Sequence, residues 1–173
     1  SFIIYNIFIS IKRLIIALSM FVLMLCGCEK QTVKPILNNI SFTAEIVYGD
    51  YEFIGNTEIS DNDVKFIVTK PQEIKDLTFN IAENKINSEY KGLSLETDIN
   101  SSQQGAVVKI LYDVLNDIVA KQICAEISEE NCIINGKTDS YEYEFIFSPS
   151  GLPIELNIDD TELKIQFKNV TVI

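Results

Sequence analysis

The sequence predicts an α+β domain, a mostly antiparallel sheet of about eight strands with one long amphipathic helix against it. Three observations predict it. Apolar and polar residues alternate from Ile40 to about Leu95; apolar spacing then lengthens to about 3.6 residues between Val107 and Ile123; and alternation returns from Tyr141 to Phe167. A period of two marks a half-buried strand, and the longer period marks a helix with one buried face.

Taken in order, Ile40, Phe42, Ala44, Ile46 and Tyr48 share one face of a first strand, while Ser41, Thr43 and Glu45 share the other. Gly49 and Asp50 turn the chain into a second strand whose apolar side carries Tyr51, Phe53 and Ile59. After a turn at 60–63, Val64, Phe66 and Val68 form a third strand ending at Pro71, and Leu77, Phe79 and Ile81 give a fourth. A fifth, weaker strand spans about Lys85 to Leu95, with Asn84 and Gly92 as turn or bulge residues. The helix, begun by Ser102, Gln103 and Gln104, carries a stripe of Val107, Ile110, Leu111, Val114, Leu115, Ile118, Val119 and Ile123, read as core packed on the sheet. Three strands follow: Tyr141, Tyr143, Phe145 and Phe147; Leu152, Ile154, Leu156 and Ile158; and Leu163, Ile165 and Phe167. Turns at 148–151 and 159–162 separate them.

Charge and composition exclude several functions. All 25 Asp and Glu lie after residue 28 and Lys12 and Arg13 lie before it, so 12 of the 14 basic side chains accompany them from Cys28 onward, a net charge of −13. Lys65, Lys70, Lys75, Lys85 and Lys91 are dispersed among carboxylates rather than clustered, the opposite of a phosphate-binding surface, so no nucleic-acid partner is expected. The chain has no histidine and no tryptophan, which removes the commonest general base and the commonest zinc ligand. Without histidine to activate Cys or Ser, no catalytic residue, metal site or cofactor is assigned, and the chain is expected not to be an enzyme. Asp61 to Gln72 fails the EF-hand pattern, because Phe66 and Gln72 stand where Gly and Glu are needed. Asp159, Asp160 and Glu162 form an acidic turn without ligand spacing, and Tyr141, Glu142, Tyr143 and Glu144 alternate as core-facing and water-facing residues of one strand.

The amino-terminal segment is of a different kind. Lys12 and Arg13 make a short positive region, Leu14 to Leu25 is a 12-residue apolar run, and Gly27 is the small residue a signal peptidase needs. Twelve helical residues span about 18 Å against a hydrocarbon core of about 30 Å, which favours a cleaved leader over a permanent span. Residues 1–11 are apolar, uncharged and begin without methionine, which suggests an upstream extension or an incomplete start, or, if the stretch is genuine, one part of a two-part membrane segment. Leu25, Cys26, Gly27 and Cys28 resemble the lipobox of bacterial lipoproteins. The resemblance implies that Cys28 is the lipid attachment site, with Cys26 at the tolerant position, and that acyl chains such as palmitate hold the protein on the extracytoplasmic face of the cell membrane. Residues 29–39 contain Pro35 and no periodicity and read as a tether. Cys124 and Cys132, eight apart around an acidic segment, form either a disulfide, which an exported location permits, or two buried thiols.

From Ile40 to Val172 the arrangement resembles the half-barrel of LolA/LppX-type lipoprotein carriers. The residues that carry the likeness are Val64–Ile81, a strand, proline and strand passage, together with Gly136–Ile158 and Leu163–Val170, closing hairpins with a Gly-Leu-Pro turn and a Phe-x-Asn ending. The resemblance implies a strongly curved sheet wrapping the helix, an apolar cavity between them, and binding of a lipid, another hydrophobic small molecule or an envelope protein. One evident helix and a short mature region depart from the carriers, and an anchored protein cannot shuttle. The expected organisation is therefore a signal peptide over 1–27, a lipidated tether over 28–39 and a LolA-like β-rich domain over 40–173. The alternative is a non-catalytic structural or interaction module of the cell envelope without a ligand cavity.

Overall fold

The computed structural model of the chain describes residues 32–61, 63–101, 106–128 and 130–173. The signal peptide expected over 1–27 and the lipid attachment site expected at Cys28 lie outside the described residues. Strand β1 is Thr32–Val33, β2 Ile40–Tyr48, β3 Tyr51–Ser60, β4 Asp63–Lys70, β5 Thr78–Ala82, β6 Lys85–Tyr90 and β7 Leu93–Asp98. Helix α1 is Ala106–Lys121, followed by β8 Ala125–Ser128, β9 Asn131–Lys137, β10 Glu142–Phe147, β11 Pro153–Ile158 and β12 Leu163–Val172.

All of these strands belong to one sheet in the order β1-β8-β9-β10-β11-β12-β2-β3-β4-β5-β6-β7, and every neighbouring pair is antiparallel. The expected sheet of about eight strands is thereby corrected: it has 12 strands among the described residues. The excess has local causes. The stretch read as one strand over Lys85–Leu95 is a hairpin, because Lys91 and Gly92 both take positive φ (50° and 82°) and make a two-residue turn. β8 escaped notice because three of its four residues are exposed, and β9 because Cys132, Ile133 and Ile134 are consecutive and apolar. β1 lies inside the stretch assigned to the tether. Its two residues pair with Ala125 and Glu126, the Ile36 amide donates to the Gly151 carbonyl at 2.8 Å, and Leu37 is buried.

Two meanders, β2–β7 and β8–β12, are joined where β2 pairs with β12. α1 links β7 at one edge to β8 beside the other, so it must cross a face of the sheet. The face is settled by its stripe: Val108, Ile110, Leu111, Val114, Leu115 and Ile118 are all buried. The helix touches β4 and β5 on one side and, through Asp117 and Lys121, β10 and β9 on the other. β5 and β9 would stand about 34 Å apart in a flat sheet. A helix of 16 residues is about 24 Å long, so contact with both fits a sheet that curves around it, consistent with a half-barrel.

Two glycines admit an aromatic ring from the neighbouring strand. A Cβ on Gly55 would lie 2.4 Å from Phe66 Cζ, and one on Gly136 would lie 2.2 Å from Tyr143 Cζ. In each case the ring lies directly on bare backbone and covers it. The centre of the core is aromatic. Phe145 stacks on Phe147 with ring centroids 4.3 Å apart and on Phe167 at 5.3 Å, and Phe167 meets Phe42 at 4.8 Å. Among the described residues no helix is long and apolar enough to cross a membrane.

The helix is fastened to the β9–β10 hairpin by polar groups. Tyr143, 4% exposed, donates its hydroxyl proton to Asp117 Oδ2 at 2.9 Å; Lys121 Nζ pairs with Asp117 Oδ1 at 2.5 Å and donates to the Lys137 carbonyl at 3.0 Å. Burial, and then the Asp117 carboxylate, push the Tyr143 phenol well above its ordinary value of 10.0. A raised folded-state value means stability fully present below about pH 10 and lost as pH rises beyond it. A Tyr143→Phe chain is therefore expected to be less stable by about 2 kcal/mol at neutral pH and to lose less on passing from pH 9 to pH 11 than the wild type. Urea midpoints across that range measure both effects.

Candidate functional site

The helix ends in a way that opens a groove. Gln122 takes a left-handed φ of 52°, its amide donates to Val119 O at 3.2 Å, and the Ile123 amide donates to Ile118 O at 3.0 Å. This pair of bonds is the Schellman closure, which sets the first residue past the turn, Ile123, against Ile118. The chain then runs into β8 past Cys124. Facing it is the segment between β1 and β2, where Pro35, Ile36 and Leu37 form a short apolar run. Between the two walls lies a groove of about 530 Å³ lined by Lys34, Pro35, Leu37, Asn38, Ile118, Val119, Gln122, Ile123 and Cys124. Leu37 and Ile118 are buried at its floor, and Lys34, Asn38 and Gln122 bring polar groups to its edge. Val119 was expected in the packed stripe. It is 49% exposed because the stripe leaves the sheet here and becomes a groove wall.

The rest of the stripe is seated on the sheet, so the space that the carrier resemblance implied between helix and sheet is occupied there by side chains. The apolar concavity sits at the carboxyl end of α1 instead. One wall was legible as the end of an amphipathic stripe. The other was not, since Pro35–Leu37 read as tether and only a long-range approach brings it to the helix.

A second cavity, of about 620 Å³, is of different chemistry. It lies over β9–β11 and is lined by Asn135, Gly136, Lys137, Glu142, Tyr143, Glu144, Asn157, Asp159 and Asp160. The acidic turn thus comes next to the alternating Tyr and Glu strand. Lys137 Nζ pairs with Glu142 at 2.7 Å, which holds the Glu142 carboxyl below its ordinary range, and Asn157 donates to Glu144 at 3.3 Å. Among the described residues no three Cys, Asp or Glu side chains gather as a metal site.

The two cysteines are free in the structure, Cys124 exposed and Cys132 buried. Ile127 stands opposite Cys132, and Glu126 opposite Ile133. Continued by two residues, that register puts Cys124 beside Asn135, on the other face of the sheet and about 10 Å along the strand from Cys132. Cα atoms more than about 7 Å apart cannot be bridged without moving backbone. In the folded chain Cys124 is expected to react readily with a maleimide and Cys132 only after unfolding, as peptide mass mapping would show; a Cys124–Cys132 linked peptide would contradict this geometry.

No family model matches the chain, and no curated protein matches it. Among solved structures it is similar to an uncharacterized conserved protein from Thermus thermophilus, with 7% identity over 78% of this chain and 78% of that one and a TM-score of 0.48. It is also similar to a LolA superfamily protein from Nitrosomonas europaea, with 7% identity over 78% of this chain and 84% of that one and a TM-score of 0.37.

Proposed function

We propose that the chain is a non-catalytic, lipid-anchored protein on the extracytoplasmic face of the cell membrane, whose β-rich domain holds a hydrophobic ligand, an acyl chain, in the groove at the carboxyl end of α1. The observation that carries this reading is the groove itself, about 530 Å³ with an apolar floor and a polar edge. Sites for small apolar ligands have that size and that division of chemistry.

Val119→Glu tests the site. Val119 is half-exposed, so a carboxylate there is hydrated and the fold is kept, but it lies in the wall that an acyl chain would cover. Affinity for a fluorescent fatty acid is expected to fall about tenfold or more, with an unchanged urea midpoint. Equal affinity in both chains would remove the groove from the function. The alternative, an envelope interaction module without a ligand, is favoured by the close seating of the rest of the stripe, and absence of fatty-acid binding in the wild type would establish it over the ligand reading.

A further inference from the structure

β7 ends the sheet, and among the described residues no strand pairs with its outer side. The hairpin fixes which of its backbone groups face outward. In a two-residue turn the flanking residues, here Tyr90 and Leu93, exchange both hydrogen bonds, and bonding then alternates along the pair. Leu93, Leu95 and Thr97 therefore direct their amides and carbonyls toward β6, in keeping with the bond from the Ile99 amide to the Asn84 carbonyl at 2.9 Å. Ser94, Glu96 and Asp98 direct theirs away from the sheet.

Proteins blunt such edges with proline, a bulge, charged side chains or a very short strand, and of these β7 carries only the carboxylates of Glu96 and Asp98. The opposite edge is blunted, since β1 has two residues. β7 has six, with no proline and a regular register against β6. One side of it shows Leu93 at 76% exposure and Leu95 at 53%; the other shows Ser94, Glu96 and Asp98. Glu96 is paired with Lys85 at 2.7 Å.

A second copy of β7, crossing antiparallel about a two-fold axis at Glu96, would set Glu96 against Glu96 and Asp98 beside Ser94, and one crossing at Leu95 would set Ser94 against Glu96 with the two Glu96 carboxylates diagonal on one face. Directly opposed like charges destabilise a strand pair, and the described domain is strongly acidic. The favoured neighbour is a strand of opposite charge. We propose that β7 is a strand-addition site for an extended segment of another protein in which apolar and basic side chains alternate. Its apolar residues cover Leu93 and Leu95, its Lys or Arg residues meet Glu96 and Asp98, and its backbone satisfies the outward groups of Ser94, Glu96 and Asp98.

The probe is a capped six-residue peptide of alternating valine and lysine, added to the full chain, with its valine–glutamate counterpart as control. The lysine peptide is expected to slow amide hydrogen exchange about tenfold at Ser94, Glu96 and Asp98, and the glutamate peptide is expected to leave it unchanged. Ser94→Pro removes one outward amide and none that bonds β6, and is expected to weaken binding about tenfold while Leu95 and Thr97 stay protected. Glu96→Lys, which leaves the backbone intact, is expected to weaken it as well. The proposal is overturned if the lysine peptide does not bind, if it binds without slowing those three amides, or if the glutamate peptide binds equally. Protection that grows with protein concentration alone would assign the edge to a second copy and overturn it too.

Discussion

Phe145→Ala is expected to lower the stability of the domain by about 3–5 kcal/mol. Phe145 has no exposed surface, and its ring stacks on both Phe147 and Phe167. The contact with Phe167 joins β10 to β12, and β12 in turn pairs with β2, where the two meanders meet. Truncation leaves a void at that junction, and neighbours held by sheet bonding on both sides cannot collapse into it. Domains of this size are stable by about 5–15 kcal/mol, so about a fifth or more of the total would be lost. The urea midpoint should fall with an unchanged slope. Phe145→Leu fills most of the volume and should cost markedly less. Equal losses in both variants would mean that ring stacking, rather than volume, holds the junction.

On the proposed reading that Cys28 carries a lipid, Cys28→Ala is expected to abolish anchoring. A thioether lipid with two or three acyl chains contributes about 0.8 kcal/mol for each buried CH₂, far more than the domain surface could supply at a net charge of −13. The variant should fail to incorporate labelled palmitate and should keep its leader. Unchanged labelling would show that another residue carries the lipid or that none does.

The strands that were legible in the sequence are those in which both faces have a fixed environment. Ile40, Phe42, Ala44 and Ile46 in β2, Val64, Phe66 and Val68 in β4, and Leu163, Ile165 and Phe167 in β12 alternate strictly and are buried as their period implies. β3 kept the expected parity but filled it differently. Gly55 and Thr57 take inward positions, Phe66 covers the glycine, and Tyr51 lies out at 67% exposure. Alternation in β7 pointed to a buried face, yet Leu93 and Leu95 are exposed, because an edge strand with a neighbour on one side has little to pack against. β8 and β9 carry no clear period, since their burial depends on β1 and β10 rather than on local pattern. The groove was the least legible feature. Its walls are about eighty residues apart in the chain, and each looked ordinary alone.

Native mass spectrometry of the protein purified from its own host tests the central claim most directly. A ligand-holding groove predicts one non-covalent lipid per chain, retained under native conditions, released on denaturation and missing from Val119→Glu. A wild-type chain that carries no such adduct, or an adduct that persists in Val119→Glu, would contradict the account.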